Sequence, residues 1–304
     1  MKNILITGGL GFVGKELAIK LNKKYNVIII DKNKNIKKLK DIKIFYFDFS
    51  SNKSIKIIQK FNIDTIIHLA AYTNVVESEK YKSKYKINNY LKSKIFFKKI
   101  KNIKNVKKFL FASSAAVYGD NKNKVSERSI CKPVNYYGKT KLLFENYLLN
   151  QKTKIDIIIP RFFNIISEER QSNNIKSFFN NLAKSIQNKK TFYVNGNNFS
   201  TPDGFCHRDF IDIKLLVNYV LKLLKINKRK MIVNIGTGKS ISIGEIVKKL
   251  SKKYNKKFSY KISKPKHGEI EYSCANVKKL KKYLNLKTSK KTNFMKCINN
   301  RLKN

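Results

Sequence analysis

The sequence is poor in cysteine, histidine, arginine and acidic residues, and it has no long apolar run. Its four cysteines, Cys131, Cys206, Cys274 and Cys297, are scattered with no CxxC pair. Neither a disulfide framework nor a zinc site is indicated. The three histidines, His68, His207 and His267, fall in no HExxH spacing, so that metal signature is missing too. No stretch approaches the ~20 apolar residues of a membrane span. The N-terminus enters a strand-like segment at once, Ile4-Leu5-Ile6-Thr7, with no signal peptide before it. These absences predict a cytoplasmic protein of a reducing compartment, without a structural metal.

Acidic residues are the most telling shortage. Against 67 lysines and arginines stand 19 aspartates and glutamates in 304 residues, a formal charge of +48. A balance like this raises nucleic acid or an anionic membrane as partners. The distribution argues against both. Arginine occurs only at Arg128, Arg161, Arg170, Arg208, Arg229 and Arg301, whereas a nucleic-acid domain draws on arginine for phosphates and base edges. The lysines sit on nearly every amphipathic stretch, as at Lys98-Lys99, Lys189-Lys190, Lys248-Lys249 and Lys278-Lys279. Lys, Asn and Ile dominate every region, the mark of a global compositional bias such as an AT-rich genome produces. We therefore expect no specific nucleic-acid partner.

The N-terminal half alternates short apolar runs with helix-period stretches. Ile4–Thr7, Val27–Ile30, Ile44–Phe47, Thr65–Leu69, Lys108–Ala112 and Ile155–Ile159 are rich in Ile, Val and Phe and lack polar alternation, as buried strands do. Helices are predicted over Phe12–Lys24, Ser54–Phe61, Tyr81–Ile100 and Tyr137–Leu149. A series of this kind implies an α/β fold with a doubly wound parallel sheet. After Pro160 the rhythm breaks. Helices are expected near Ile175–Gln187, Phe210–Lys225 and Ile243–Tyr254, and a strand at Ile232–Ile235. The predicted division is a dinucleotide-binding domain over 1–163, to which a segment near 210–237 returns, and a smaller substrate-binding lobe over 164–304. Ligands of such sheets bind at the carboxyl ends of the strands.

The loop after the first strand reads Thr7-Gly8-Gly9-Leu10-Gly11-Phe12-Val13-Gly14. Gly8, Gly11 and Gly14 have the GxxGxxG spacing, a variant of the Rossmann fingerprint, in which glycine lets backbone and helix N-terminus approach a pyrophosphate. Asp31 ends the second strand, 20 positions after Gly11, where an acidic residue bonds the adenosine ribose. A carboxylate there repels a 2′-phosphate, which favours NAD over NADP. Asp48, with Phe49 after it, stands after the third strand and is a candidate for the adenine.

A second constellation follows the fifth strand. Ser113-Ser114-Ala115-Ala116 leads on to Asn135-Tyr136-Tyr137-Gly138-Lys139-Thr140-Lys141 at a helix start. Tyr137 and Lys141 are four apart and share a helix face. A Lys⁺ beside a phenol is expected to stabilise phenolate and lower its pKa from ~10, so that the tyrosine can shuttle a proton to and from a sugar hydroxyl. Ser114 would add a hydrogen bond to the same oxygen. YxxxK alone is cheap in a chain with 16 tyrosines; its place downstream of the glycine loop and a Ser-rich strand end gives it weight.

These features resemble the extended short-chain dehydrogenase/reductase superfamily and, within it, the NAD-dependent epimerase/dehydratase family, over nearly the whole chain. His68-Leu69-Ala70-Ala71 resembles the segment beside the nicotinamide, Asn88-Asn89 the helix-borne Asn pair, and Pro160-Arg161-Phe162-Phe163-Asn164 the Arg-aromatic-Phe-Asn motif. Thr201-Pro202-Asp203-Gly204, before Arg208-Asp209-Phe210-Ile211, is similar to the UDP-hexose epimerases. The resemblance implies Ser114, Tyr137 and Lys141 as catalytic residues. It adds Leu69, Ala70, Ala71 and Asn89 to the cofactor site. For the UDP-sugar it implies Asn164, Asn174, Arg208, Lys266 and Ser273, besides Ser114 and Tyr137. Lys266 stands in the place of a second family arginine and lacks its bidentate fork. A homodimer built on the 81–100 and 137–149 helices is likewise implied by the family.

Related dehydratases and decarboxylases carry extra carboxyls just after the Ser that ends the fifth strand. Ala115 and Ala116 cannot move protons. The implied reaction is therefore interconversion of UDP-glucose and UDP-galactose through a 4-keto sugar, with transient hydride transfer to tightly bound NAD. Counting from Gly268, Ser273 falls at the family's gate position, and a small residue there suggests UDP-GlcNAc and UDP-GalNAc as further substrates; a register one position earlier puts Tyr272 there and closes the pocket to them. Two readings of another class are a non-catalytic NAD-binding regulator and a basic polyanion binder, the latter recognisable by a steep salt dependence.

Overall fold

The computed structural model describes residues 2–34, 39–167, 178–255, 257–265, 267–287 and 292–303. Its strands, in chain order, are β1 Asn3–Thr7, β2 Asn26–Asp31, β3 Lys43–Tyr46, β4 Thr65–His68, β5 Lys108–Phe111, β6 Ser113–Ser114 and β7 Asp156–Phe162. They continue with β8 Asn164–Ile166, β9 Phe192–Asn195, β10 His207–Asp212, β11 Lys230–Ile235, β12 Ser240–Ser242, β13 Tyr260–Ser263 and β14 Tyr272–Ser273. The α-helices are α1 Phe12–Asn22, α2 Asn52–Lys60, α3 Val75–Lys80, α4 Lys82–Tyr85, α5 Lys92–Ile100, α6 Tyr136–Leu149, α7 Phe178–Gln187, α8 Ile213–Leu223, α9 Ile243–Lys253, α10 Lys278–Leu284 and α11 Phe294–Leu302. None of the described helices is long and apolar enough to cross a membrane.

The chain folds into two compact units. The first comprises Met1–Val117, Asn135–Phe162 and Val217–Val233. Its sheet has the order β11-β7-β5-β4-β1-β2-β3, with β6 beside β7. The pairs from β3 across to β7 are parallel, as the Ile- and Val-rich runs predict. The order reverses between β1 and β4, the switch point at which such sheets bind ligands. The interior packs Leu5, Ile28, Ile30 and Ile66 of the sheet against Phe96 and Phe97 of α5 and Phe144 of α6.

One helix predicted as continuous is not. Tyr81–Ile100 is α4, a widened π turn over Lys86–Leu91, and α5. The extra residue in that turn brings Asn88 and Asn89 both into buried positions, and such turns cluster at functional sites.

The second unit comprises Tyr118–Val134, Phe163–Leu216 and Asn234–Asn304. Here β10 is the centre: β12 pairs with it antiparallel, β14 and β8 parallel. A separate parallel pair joins β9 and β13. Phe179, Leu182 and Ile186 of α7 pack with Ile246, Val247 and Leu250 of α9 and with Cys297 and Ile298 of α11. Tyr118–Val134 clusters here because Val125 bridges Ala275 and the Tyr118 hydroxyl donates to Asn234 Oδ1 at 2.6 Å. The helix predicted from Phe210 begins three residues later. Phe210–Asp212 pairs with β8 instead, and the Asp212 carboxylate caps α8 by accepting from Lys214 N at 2.8 Å. For the helix predicted near Ile175–Gln187, residues 175–177 lie outside the described residues and the rest is α7.

Candidate active site

The glycine loop is shaped by its neighbours. Gly8 has φ +70, and a Cβ there would lie 2.7 Å from Ala70 Cα. Only glycine lets β1 turn beside the 69–71 segment after β4, where Leu69 N donates to Thr7 O at 3.0 Å. Gly14 is closed as well, since its Cβ would lie 2.5 Å from Gly8 O. Gly11 differs: a Cβ there would meet only Gly8 O, at 3.2 Å, and the residue is exposed at the N-cap of α1. Phe12 and Val13, half-buried, open that helix. Its first N–H groups are available to a diphosphate.

Asp31 steadies the same loop. Its Oδ2 accepts from Leu10 N at 3.0 Å and its Oδ1 from Asn33 N at 3.0 Å. Asp48 accepts from Ser50 N at 3.0 Å and from Lys92 Nζ at 2.5 Å. Burial opposes its charge, but Lys92 and Ser50 prevail and hold its carboxyl below the usual range. The Phe49 side chain turns inward, edge-on to His68 at 4.8 Å. Asn89 spends its carboxamide on the protein: Oδ1 accepts from Tyr72 N at 2.8 Å, while Nδ2 donates to Tyr72 O at 2.9 Å and to Thr140 Oγ1 at 3.3 Å. It thereby ties the segment after β4 to α6. Leu69, Ala70 and Ala71 are half-buried in that segment.

The helix carrying Tyr137 has its first N–H groups met by side chains. Asn135 Oδ1 accepts from Gly138 N at 2.9 Å, Ser78 Oγ from Tyr137 N at 3.0 Å and Glu79 Oε1 from Tyr136 N at 2.5 Å. Ser114 is the polar neighbour that favours the ionised form of the Tyr137 phenol. Lys141 Nζ donates to Ala112 O at 2.8 Å and lies 5.8 Å from the Tyr137 ring centroid. Ser114, Tyr137 and Lys141 thus lie together in the first unit, with Tyr137 and Lys141 one turn apart on α6.

Their electrostatics differ from the expectation. Burial pushes the Tyr137 phenol above its ordinary value, with Ser114 pulling it back. Burial also drives Lys141 down to about 7, against the pull of Glu145. A half-neutral ammonium bonded to a carbonyl stabilises a nearby phenolate less than a full charge does. Beneath them His68 is fully buried between Thr7 Oγ1 at 2.6 Å and Ser93 Oγ at 2.9 Å. Burial, with Lys141 adding to it, holds His68 at about 3.

In the second unit, Arg208 on β10 donates to His207 O at 3.0 Å and Glu271 O at 3.3 Å and lies 3.5 Å from Glu269. Ser273 pairs with Arg208 in register and is buried. Asn164 is exposed on β8. Asn174 and Lys266 lie outside the described residues. Asp209, next to Arg208, is fully buried and accepts from Thr237 N, Gly238 N and Ala275 N at 2.8, 2.9 and 3.1 Å. Among the described residues no group of three or more His, Cys, Asp or Glu side chains could hold a metal ion.

The family model for the NAD dependent epimerase/dehydratase family matches residues 4–236. The chain belongs to this family. Epimerase-family relatives extend over most of its length. A UDP-glucose 4-epimerase of Mycoplasma genitalium is 31% identical, over 94% of this chain and 92% of that one. A dTDP-D-glucose 4,6-dehydratase of Dictyostelium discoideum is 32% identical, over 82% of this chain and 62% of its own length. The crystal structure of UDP-glucose 4-epimerase from Bifidobacterium longum in complex with NAD+ and UDP superposes with a TM-score of 0.83 at 28% identity, covering 99% of this chain and 97% of that one. NAD is the cofactor of this family, and the open Gly11 face with Asp31 beside it fits a dinucleotide.

Sequence reasoning missed most of the residues that brace Tyr137 and Lys141. Ser78, Glu79, Asn135 and Glu145 make no motif by themselves, and the motif that contains Arg161 does not name its partner Glu145. Asn135 was readable as a cap before a helix start, and Glu145 as the next same-face residue after Lys141. Ser78 and Glu79 carry no local signal, because their partners lie nearly 60 residues away.

Proposed function

We propose that this nucleotide-sugar epimerase interconverts UDP-glucose and UDP-galactose. The observation that carries the reading is Lys141 Nζ 5.8 Å from the Tyr137 ring, with Ser114 as the phenol's polar neighbour and Ala115 and Ala116 following Ser114. That set moves one proton and offers no further acid or base at the strand end for dehydration. Tyr137 holds and returns the proton of the sugar 4-hydroxyl, Ser114 orients that oxygen, and Lys141 supplies positive charge behind the phenol. Gly8, Gly11, Phe12, Val13, Gly14, Asp31, Asp48, Phe49, Leu69, Ala70, Ala71 and Asn89 would form or brace the site for NAD. When bound, NAD supplies a reversible hydride acceptor for sugar C4.

Arg208 would meet the diphosphate, a contact suited to a guanidinium, with Asn164, Asn174 and Lys266 further along the UDP moiety. A second reading rests on Ser273: a small side chain in register with Arg208 leaves room for an N-acetyl group, which favours UDP-GlcNAc as an additional substrate. The exposed side chains of Ile87, Leu91 and Ile95 recur every four residues along the 82–100 helical segment. They support a homodimer through that face. Four free cysteines suit a reducing, cytoplasmic setting.

The test is a purified-protein assay. UDP-galactose is added without external NAD, and UDP-glucose is followed with a coupled dehydrogenase. Product is expected, from cofactor that co-purifies. No product from UDP-galactose, even with NAD supplied, overturns the UDP-glucose reading. Turnover of UDP-GlcNAc alone would then leave the second.

A further inference from the structure

Behind Tyr137 and Lys141 lies a carboxylate that proton transfer to a sugar does not call for. Glu145 follows Lys141 by four residues, one turn along the same face of α6, and it is fully buried. Oε1 accepts from the Ser113 hydroxyl and from Arg161 Nε at 3.1 Å, and Oε2 accepts from Arg161 NH2 at 2.6 Å. Ser113 precedes Ser114, and the two pair in register with Arg161 and Phe162 of β7. The Lys141 ammonium is held by the carbonyl of Ala112, which precedes Ser113. One carboxylate therefore joins the helix of Tyr137 and Lys141, the strand end of Ser114, and β7. Apolar residues of similar volume often replace a buried ion pair without loss of stability, so cohesion alone is a weak reason for charge here.

We propose that Glu145 is a positioning residue for the epimerase reaction, fixing Ser114 through Ser113 and supplying the negative charge that the Lys141 ammonium needs. This rests on the function proposed above. Lys141 sits at about 7 because burial lowers it, and Glu145 acts in the opposite direction. The other groups around Lys141 do not replace that charge. His68 on β4 is neutral from about pH 3 upward. The β5 and β6 ends bring the Phe111 ring and the Ala112 carbonyl. Glu79 of α3 is engaged at Tyr136 N, and Arg161 of β7 is cationic and held by Glu145. Tyr137 faces Lys141 from its own helix.

The experiment compares wild type, Glu145→Gln, Glu145→Asp and the double variant Glu145→Gln/Arg161→Met, which leaves no orphaned cation. UDP-galactose turnover is measured from pH 6 to 10. Glu145→Gln and the double variant are expected to keep KM within about twofold, to lose about tenfold or more in kcat, and to move the alkaline limb of kcat down by about one pH unit. Glu145→Asp is expected to restore the limb in part. A second readout needs no substrate. Lys141→Met, made in the wild-type and Glu145→Gln backgrounds, stabilises the fold increasingly as pH falls from 10.5, and its gain levels off at the pKa of folded Lys141. That levelling point is expected near pH 7 in wild type and about one unit lower without Glu145. An unchanged levelling point overturns the proposal. So does a variant that loses melting temperature while keeping wild-type kcat and limb. If wild type turns over no UDP-hexose, the function above fails, and the melts still decide the role of Glu145.

Discussion

The two units hold their candidate residues in opposite ways. In the first, Ser114, Tyr137 and Lys141 sit on a buried web in which Asn135, Ser78 and Glu79 cap α6 and Glu145 joins Ser113 to Arg161. In the second, Arg208 and Ser273 lie on short paired strands, and the guanidinium leans on two backbone carbonyls and a partly exposed Glu269. The buried web suits a group that must be placed within a fraction of an ångström for proton transfer. The looser arrangement suits charge-based gripping of a diphosphate, which tolerates adjustment. The first unit should therefore govern turnover, and the second affinity.

The largest expected effect is at Tyr137. Tyr137→Phe should lower kcat by about 10³-fold with a melting temperature close to wild type, measured by the coupled assay and thermal denaturation. Full activity in this variant would break the assignment of chemistry to the first unit. Next comes Arg208→Ala, expected to raise KM for UDP-galactose roughly tenfold to a hundredfold, the worth of one charge-assisted contact. An equal loss in kcat would show that the second unit shares in the chemistry.

The smallest effect sharpens the comparison through pH. His68 has its folded pKa depressed to about 3 from 6.5. The unfolded chain thus takes up the proton first, and stability present above pH 6.5 is lost as pH falls toward 3. Asp209 in the second unit is shifted the other way, raised by burial against its four donors, so acid does not cost the fold there in the same window. Amide exchange between pH 7 and 4 should show protection falling earlier around β1, β4 and α5 than around β10. His68→Gln should flatten the acid loss in urea melts by a few kcal/mol at most, about what its shift implies. Equal loss of protection in both units would erase the contrast.

Much of the first unit was legible. Its strands are near-continuous Ile, Val and Phe runs, and a parallel sheet covered on both faces needs just that pattern. The glycine spacing, Asp31 and the Tyr137–Lys141 pair are local, separated by one turn or one βαβ unit, so periodicity could place them. The second unit was harder to read. Its strands are two to six residues long, and helix α8, which starts in it and runs into the first unit, was placed three residues early because apolar residues at Phe210–Ile211 suit either period. The polar segment after Asn164 offered composition without periodicity.

The sequence by itself determined the elements, the glycine loop, and which residue types stand at each strand end. These depend on backbone conformation and short spacings, which neighbours in the chain decide. Only the tertiary structure decided the charge states and the supports. Burial, a property of the packed interior, raises Tyr137 against the pull of Ser114, lowers Lys141 against the pull of Glu145, and lowers His68 together with the Lys141 charge. The partners that hold them, Glu79 to Tyr136 and Arg161 to Glu145, meet because β7 and α3 are folded against α6. No window along the chain contains that contact.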